Sequence, residues 1–323
     1  MAEYTPPTVP TVSENFFEVM IVEDRDRVGQ SAAQLMSSAT SDNTYRAYSH
    51  ALRTFHDWND QNPDILDDKN VARYFSHLFY ERHLSPSSIS IAFSAIKRLA
   101  QRVGHQSDWK YAKETLAGIR REGKERGRGQ SKGLTYEDFI TLLNTAMQPR
   151  QYARKHETEA HARKRGLVDK VIISLLFMAG MRRSEVAALR WCDIEEGSND
   201  TLLVKVRASK TNQEGHQDLR LLKGQGAQSV KELRAELEPQ DADRVVPMIC
   251  RQIANRFQAC CTHAGLNGQF TAHSGRIGLA SELITRGANT GSVALAGGWK
   301  SERMVLHYSQ QARIEQGAVA KYL

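Results

Sequence analysis

The chain of 323 residues carries 44 Lys and Arg against 37 Asp and Glu, a formal charge of +7. That length accommodates two domains of about 150 residues each, and 40% hydrophobic with 25% charged residues excludes collagen-like, mucin-like and wholly disordered chains. The longest apolar stretch, residues 171–181, is eleven residues long; a membrane-spanning helix needs about 20, so no membrane partner is expected.

Residues 1–25 hold Pro6, Pro7 and Pro10 among Thr, Ser and Glu and read as a disordered tail. No basic segment leads into an apolar one, so no signal peptide is expected. From Ser41 a helical period begins. Tyr45, Tyr48, Leu52 and Phe55 fall on one face, while Arg46, His50 and Arg53 line another. Val71, Tyr74, Phe75, Leu78 and Phe79 mark a second helix. Ser85-Pro86 supplies an N-cap and a first-turn proline for a third, carried by Ile89, Phe93, Ile96, Ala100 and Val103 and closed by Gly104. Ser107 is the expected cap of a fourth, with Ala112, Leu116 and Ile119 facing inward. Residues 26–122 therefore read as a helical domain built on a four-helix unit. Residues 123–133 interleave Gly123, Gly127, Gly129 and Gly133 with Lys124, Arg126, Arg128 and Lys132, a basic Gly-rich linker. Its charges either lie along a negative partner or are simply solvated.

Residues 134–323 read as a second domain, mostly α with one small antiparallel β element. Thr135-Tyr136-Glu137-Asp138 resembles a capping box with Asp in place of Glu or Gln, opening a helix to about Met147. Residues 149–165 form a basic stretch rich in Arg, Lys and His. Residues 167–179 form a strongly apolar helix, buried on most sides. Ser184 is placed to cap a short helix through Leu189. Residues 201–207 and 217–222 alternate like strands (Leu203, Val204, Val206; Leu219, Leu221) and are joined by a polar turn. Helices resume near Ser229, Arg251 and Ser274, and a last one covers residues 314–322, with Ile314, Ala318 and Tyr322 on one side.

Four patches carry chemistry. In Ala179-Gly180-Met181-Arg182-Arg183-Ser184-Glu185 an arginine stands just before a helix N-terminus, a combination of guanidinium and free N–H groups that suits a phosphate. Lys210 lies in the hairpin turn. His273-Ser274-Gly275-Arg276 sets an acid–base group and a fixed cation on one helix face. Gly297-Gly298-Trp299 offers close backbone approach and an indole N–H, and it precedes Tyr308, a nucleophile if its proton is removed. Each patch alone also fits an ordinary structural role. The four cysteines (Cys192, Cys250, Cys260, Cys261) lack zinc spacing, so a reduced, intracellular protein without a metal is expected, and the basic excess makes nucleic acid a reasonable partner.

Taken in order, the patches resemble the active site of the tyrosine recombinases, the integrase family. Arg182 and Glu185 match its first box, Lys210 its β-hairpin lysine, and His273 with Arg276 its H-x-x-R box. Trp299 matches the aromatic or His position and Tyr308 the nucleophile. Arg276 and Tyr308 are 32 residues apart, Trp299 and Tyr308 nine, spacings similar to those of the Cre-like members. The N-terminal helical unit resembles the family's core-binding domain, and the resemblance covers roughly residues 40–323.

The resemblance implies a mainly α fold: an N-terminal four-helix core-binding domain and an α-rich catalytic domain with a small antiparallel β hairpin or sheet. It implies a site-specific recombinase that cuts and rejoins DNA through a 3′-phosphotyrosyl intermediate, with no metal, ATP or other cofactor. Arg182 and Arg276 would neutralise the phosphate, Lys210 would act as general acid, His273 would take the tyrosine proton, Trp299 would pack on the phosphate, and Glu185 would orient its neighbours. The expected partners are double-stranded DNA with an inverted-repeat core site and three further copies of the chain, a homo-tetramer on two DNA sites joined by the C-terminal helix. Arg46, His50 and Arg53, with linker residues Lys124, Arg126, Arg128 and Lys132, are the candidate DNA contacts, and the basic stretch 149–165 either orders on flanking DNA or is a solvated insertion. The expected location is cytoplasmic and nucleoid-associated, for a bacterial, phage or plasmid protein. A type IB topoisomerase and a DNA-binding regulator without catalysis are the rival readings.

Overall fold

A computed structural model describes residues 41–59, 66–127, 129, 131–152, 155–207, 218–315 and 317, and the chain divides into two compact units, residues 1–129 and 130–323. The N-terminal tail, Arg128, the turn carrying Lys210 and most of the expected helix 314–322 lie outside the described residues.

The first unit holds α1 (Asp42–Asn59), α2 (Asp68–Tyr80), α3 (Pro86–Arg102) and α4 (Lys110–Glu122). Their apolar stripes close one core of Leu52, Phe55, Tyr74, Phe75, Ile89, Phe93, Ile96, Leu116 and Ile119 among others. Aromatic contacts stitch it, with Phe55 and Tyr74 ring centroids 4.8 Å apart and Phe75 edge-on to Phe93 at 5.4 Å. Ser85 caps α3 through the amide of Ser88. Ser107 does not cap α4. The buried Trp109 packs edge-on to Phe93 and stands in the left-handed region (φ 55°) immediately before the helix. The free amides of Tyr111 and Ala112 donate instead to Asp68 of α2, each at 2.9 Å. A tertiary carboxylate thus replaces the local cap.

The second unit holds α5 (Tyr136–Thr145), β1 (Gln151–Tyr152), β2 (Lys155–His156), α6 (Glu159–Phe177), α7 (Arg183–Ala188), a 3-10 turn (Trp191–Asp193), β3 (Ile194–Glu196), β4 (Leu202–Val206) and β5 (Asp218–Leu222). It continues with α8 (Gln225–Leu237), α9 (Cys250–His263), α10 (Ser274–Thr285), α11 (Thr290–Gly297), α12 (Glu302–Tyr308) and α13 (Gln310–Glu315). The Thr135–Asp138 capping box opens α5 as a reciprocal pair of 3.0 Å bonds. The antiparallel sheet runs β3-β4-β5, with Val204 opposite Arg220. α6 is the central rod: Val171, Ile172, Ile173, Leu175 and Leu176 are buried, and α5, α7, α8, α9 and α10 pack on it. α10 approaches α6 closely because residue 275 is glycine; a Cβ there would meet the Leu176 carbonyl carbon at 2.6 Å.

Two segments of the second unit carry more than their sequence pattern indicated. The stretch 149–165 is neither one loop nor a free basic surface. It forms the β1–β2 hairpin and the first turns of α6, capped by Thr158. Two of its cations turn inward: Arg150 and Arg165 both bond the fully buried Asp169, at 2.9 and 2.7 Å, and Arg256 of α9 bonds its other oxygen at 2.7 Å. Arg165 also clamps Glu157, whose carboxyl is held down at about 2 chiefly by that bond. Arg163 and Lys164 stay exposed. In β5 the leucines that mark the alternation, Leu219 and Leu221, are about half exposed, while Arg220 and Leu222 face the interior. The strand packs through the other side of its pleat, because β4 buries Leu202, Val204 and Val206, and Val204 stands opposite Arg220.

Candidate active site

Five elements bring the second unit's chemistry together. α6 ends in a turn where Gly180 takes a positive φ, and Arg182 follows as the residue that opens α7. Its amide donates to Glu185 Oε2 at 2.8 Å and its Nη1 to Oε1 at 2.6 Å, and the Glu185 side chain is fully buried. The carboxylate thereby closes the helix start and fixes the guanidinium in one act.

His273 opens α10 and Arg276 lies within its first turn. Arg276 is 1% exposed, and its Nη1 donates to the carbonyls of Gly180 and Gly297, the second at 2.9 Å. Its Nη2 is buried with no partner among the described residues. The guanidinium lies 4.6 Å from the centre of the Trp299 ring, and the Trp299 indole N–H is also buried without a partner among those residues. Two donors are therefore oriented and unsatisfied at one place, which in a native interior calls for an acceptor.

Tyr308 ends α12, held by Val305 in the α10–α12 core and by the Ser281 hydroxyl, which donates to the Tyr308 carbonyl at 3.1 Å. Its hydroxyl lies 2.9 Å from His273 Nε2. Burial raises the Tyr308 phenol above its ordinary value of 10, against the pull of Arg276 and Arg182. Burial first, then Arg276, Arg182 and Arg183, lowers His273 below 6.5. Near neutrality the pair is thus a protonated phenol donating to a neutral imidazole nitrogen. Arg276 itself is lowered to about 10, by burial first and then by Arg182, with Arg220 adding to it.

Arg182, Glu185, His273, Arg276, Trp299 and Tyr308 are therefore brought to one site, while Lys210 falls in the segment 208–217, outside the described residues. The sequence reading missed Arg220, a buried cation of β5 beside this cluster; the shared face with Leu222 was the signal for it. In the first unit Arg46, His50 and Arg53 are exposed along one face of α1. Arg126 is engaged within its own unit, donating to the Phe79 carbonyl at 2.6 Å and stacking 3.9 Å over the Phe79 ring. Lys124 is exposed, and Lys132 lies in the second unit with its ammonium 5.3 Å from the Phe270 ring centre. No group of three or more His, Cys, Asp or Glu among the described residues is placed to hold a metal ion, and no helix among them is long and apolar enough to cross a membrane.

A mainly helical unit with a small antiparallel sheet, gathering two arginines, a histidine and a tyrosine at the ends of separate helices, has the fold of the tyrosine recombinases, a class of enzymes. The family model described as phage integrase family matches residues 147–314, just over half of the chain, and the chain belongs to that family, whose members cut and rejoin DNA strands. A model described as the phage integrase N-terminal SAM-like domain matches residues 30–109. Among solved structures, XerH site-specific recombinase bound to palindromic difH substrate in a post-cleavage complex is similar at 16% identity and a TM-score of 0.67, over 98% of this chain and 91% of that one. The Tn1549 transposon integrase in complex with transposon right-end DNA is similar at 14% identity and a TM-score of 0.61, over 92% and 98% of the two chains. A lambda integrase dimer bound to a COC′ core site gives 16% identity and 0.59, over 90% and 94%. These likenesses show the shared fold. None of the curated proteins compared matches the chain in sequence.

Proposed function

We propose that the protein is a site-specific DNA recombinase in which Tyr308 attacks the scissile phosphate and forms a 3′-phosphotyrosyl link. The observation that carries this reading is the 2.9 Å contact of Tyr308 Oη with His273 Nε2 beside the unsatisfied Arg276 Nη2 and Trp299 Nε1. The tyrosine oxygen bonds to phosphorus, the bond to the 5′ oxygen breaks, the phenol proton passes to His273, and Lys210 protonates the departing 5′ oxygen. Arg182 and Arg276 neutralise the non-bridging oxygens as charge builds, and Trp299 adds an N–H; Glu185 holds Arg182 in place. One phosphate ester is exchanged for another, so ATP has no role to play, and the guanidiniums supply the charge that a metal ion supplies in other phosphoryl-transfer sites.

The division of labour follows the sequence: residues 26–122 as a DNA-binding domain, 123–133 as a basic linker and 134–323 as the catalytic domain, acting in the cytoplasm on DNA. Arg46, His50 and Arg53 of α1 would contact DNA, with Lys124, Arg126, Arg128 and Lys132 as phosphate contacts; the Arg126 guanidinium is already engaged by the Phe79 carbonyl. The family resemblance supports a homo-tetramer on two DNA sites with inverted-repeat cores.

The test is a nicked suicide substrate that traps the covalent complex. The wild type should form it in excess EDTA, and Tyr308→Phe should bind DNA equally and form none. A covalent adduct in Tyr308→Phe, or strict dependence on Mg²⁺, would overturn the reading.

A further inference from the structure

Besides Arg182, Arg183 and Arg276, the guanidinium of Arg220 also lies in this region. It lies in β5, the strand that leads out of the segment carrying Lys210, and it is 2% exposed. Its head is anchored on its own strand: Nη1 donates to the Leu219 carbonyl at 3.1 Å and Nη2 to Asp218 Oδ2 at 3.2 Å. Its Nε is buried without a partner among the described residues. The guanidinium presses on Gly298, where a Cβ would overlap it, and Gly298 takes φ +60° as the residue that ends α11. The next residue is Trp299, and the Gly297 carbonyl just before is the one that receives Arg276 Nη1.

A buried cation is costly, and a surface-facing leucine strand has no packing need for one. What Arg220 does here is geometric: it joins β5 to the turn that sets both Trp299 and the carbonyl orienting Arg276.

We propose that Arg220 is a positioning residue of the strand-cleavage reaction, holding the Gly298–Trp299 turn so that Trp299 and Arg276 present their free N–H groups to the phosphate. The inference rests on the transesterification reading above. It assigns the effect to the planar fork rather than to charge, so a lysine does not replace it.

The experiment measures single-turnover formation of the covalent complex by Arg220→Gln and Arg220→Lys, with half-site binding and thermal unfolding recorded for each. Loss of positioning should slow cleavage by about 10- to 100-fold while half-site affinity stays within about twofold of wild type. Two further readouts separate positioning from mere stability. In a Trp299→Ala background, Arg220→Gln should cost less than it does alone, because part of its effect runs through Trp299 and only the Arg276 part remains. On DNA with sulfur at the bridging 5′ position the defect should persist, because it does not lie in protonating the leaving group. Cleavage at the wild-type rate, full additivity with Trp299→Ala, or rescue by the sulfur substrate would each overturn the proposal. Arg220→Lys decides the matter if Arg220→Gln does not fold. A wild-type protein that forms no covalent complex would instead sink the transesterification reading, so the two failures are distinguishable.

Discussion

Asp169 offers a quantitative test of how the basic stretch is used. Its carboxylate is fully buried and receives Arg150 Nη2 at 2.9 Å, Arg165 Nη1 at 2.7 Å and Arg256 Nε at 2.7 Å. Asp169→Asn keeps the shape and removes the charge. Arg165 retains Glu157, but Arg150, 7% exposed, is left without a carboxylate on its guanidinium. Breaking a buried pair by removing one partner costs about 3–5 kcal/mol, because the other charge stays desolvated. At roughly 2–4 °C per kcal/mol for a domain of this size, the melting temperature of the second unit should fall by about 6–20 °C. Calorimetry of the full chain reads this directly and shows whether the two units melt together. The same logic says that Arg150 spends its charge inside the fold, so Arg150→Gln should destabilise and leave the salt dependence of DNA binding unchanged. A shift under about 2 °C for Asp169→Asn, or a shallower salt slope for Arg150→Gln at unchanged stability, would refute the argument.

Two further predictions concern the chemistry. Single-turnover cleavage should be flat from about pH 7 to about 9: His273, lowered from its ordinary value, is mainly neutral there, Tyr308, raised above its ordinary value, is mainly protonated, and Arg276, lowered to about 10, keeps most of its charge. A rate rising tenfold per unit between pH 7 and 9 would contradict it. Lys210→Ala should be slow on ordinary DNA and largely restored by sulfur at the bridging 5′ position, which leaves without a proton; an equal defect on both substrates would remove Lys210 as the general acid.

What the sequence made legible was geometry written locally. Arg182 with Glu185, and His273 with Arg276, lie three residues apart, and a helix start converts that spacing into a shared site whatever the rest of the fold does. What it hid depended on partners far along the chain. Asp169 meets Arg150 nineteen residues away and Arg256 eighty-seven away, so residues 149–165 looked like free charge. Arg220 was hidden by a strand ambiguous in its own pleat: Asp218-Leu219-Arg220-Leu221-Leu222 alternates plausibly in either phase, and only pairing with β4 selects the phase that buries the arginine. Ser107 failed as a cap for the same reason, since the amides of Tyr111 and Ala112 found their acceptor in Asp68, more than forty residues before them.

The charges of the site also constrain the order of events on the proposed mechanism. The fully buried carboxylate of Glu185 is spent on Arg182, whereas Arg276 is held by carbonyls and keeps its charge toward the phosphate. In the free protein those two arginines pull the Tyr308 hydroxyl down and still do not outweigh burial. A bound phosphodiester cancels part of their field, so the phenol becomes a weaker acid on binding DNA. The same cancellation acts on His273, which Arg276, Arg182 and Arg183 hold down in the free protein; with the phosphate present its imidazole becomes a stronger base. The substrate therefore opposes ionisation of the tyrosine ahead of attack and favours transfer of its proton to Nε2, already 2.9 Å away. Proton transfer must then accompany formation of the oxygen–phosphorus bond, which keeps the nucleophile protonated until a phosphate is in place to receive it.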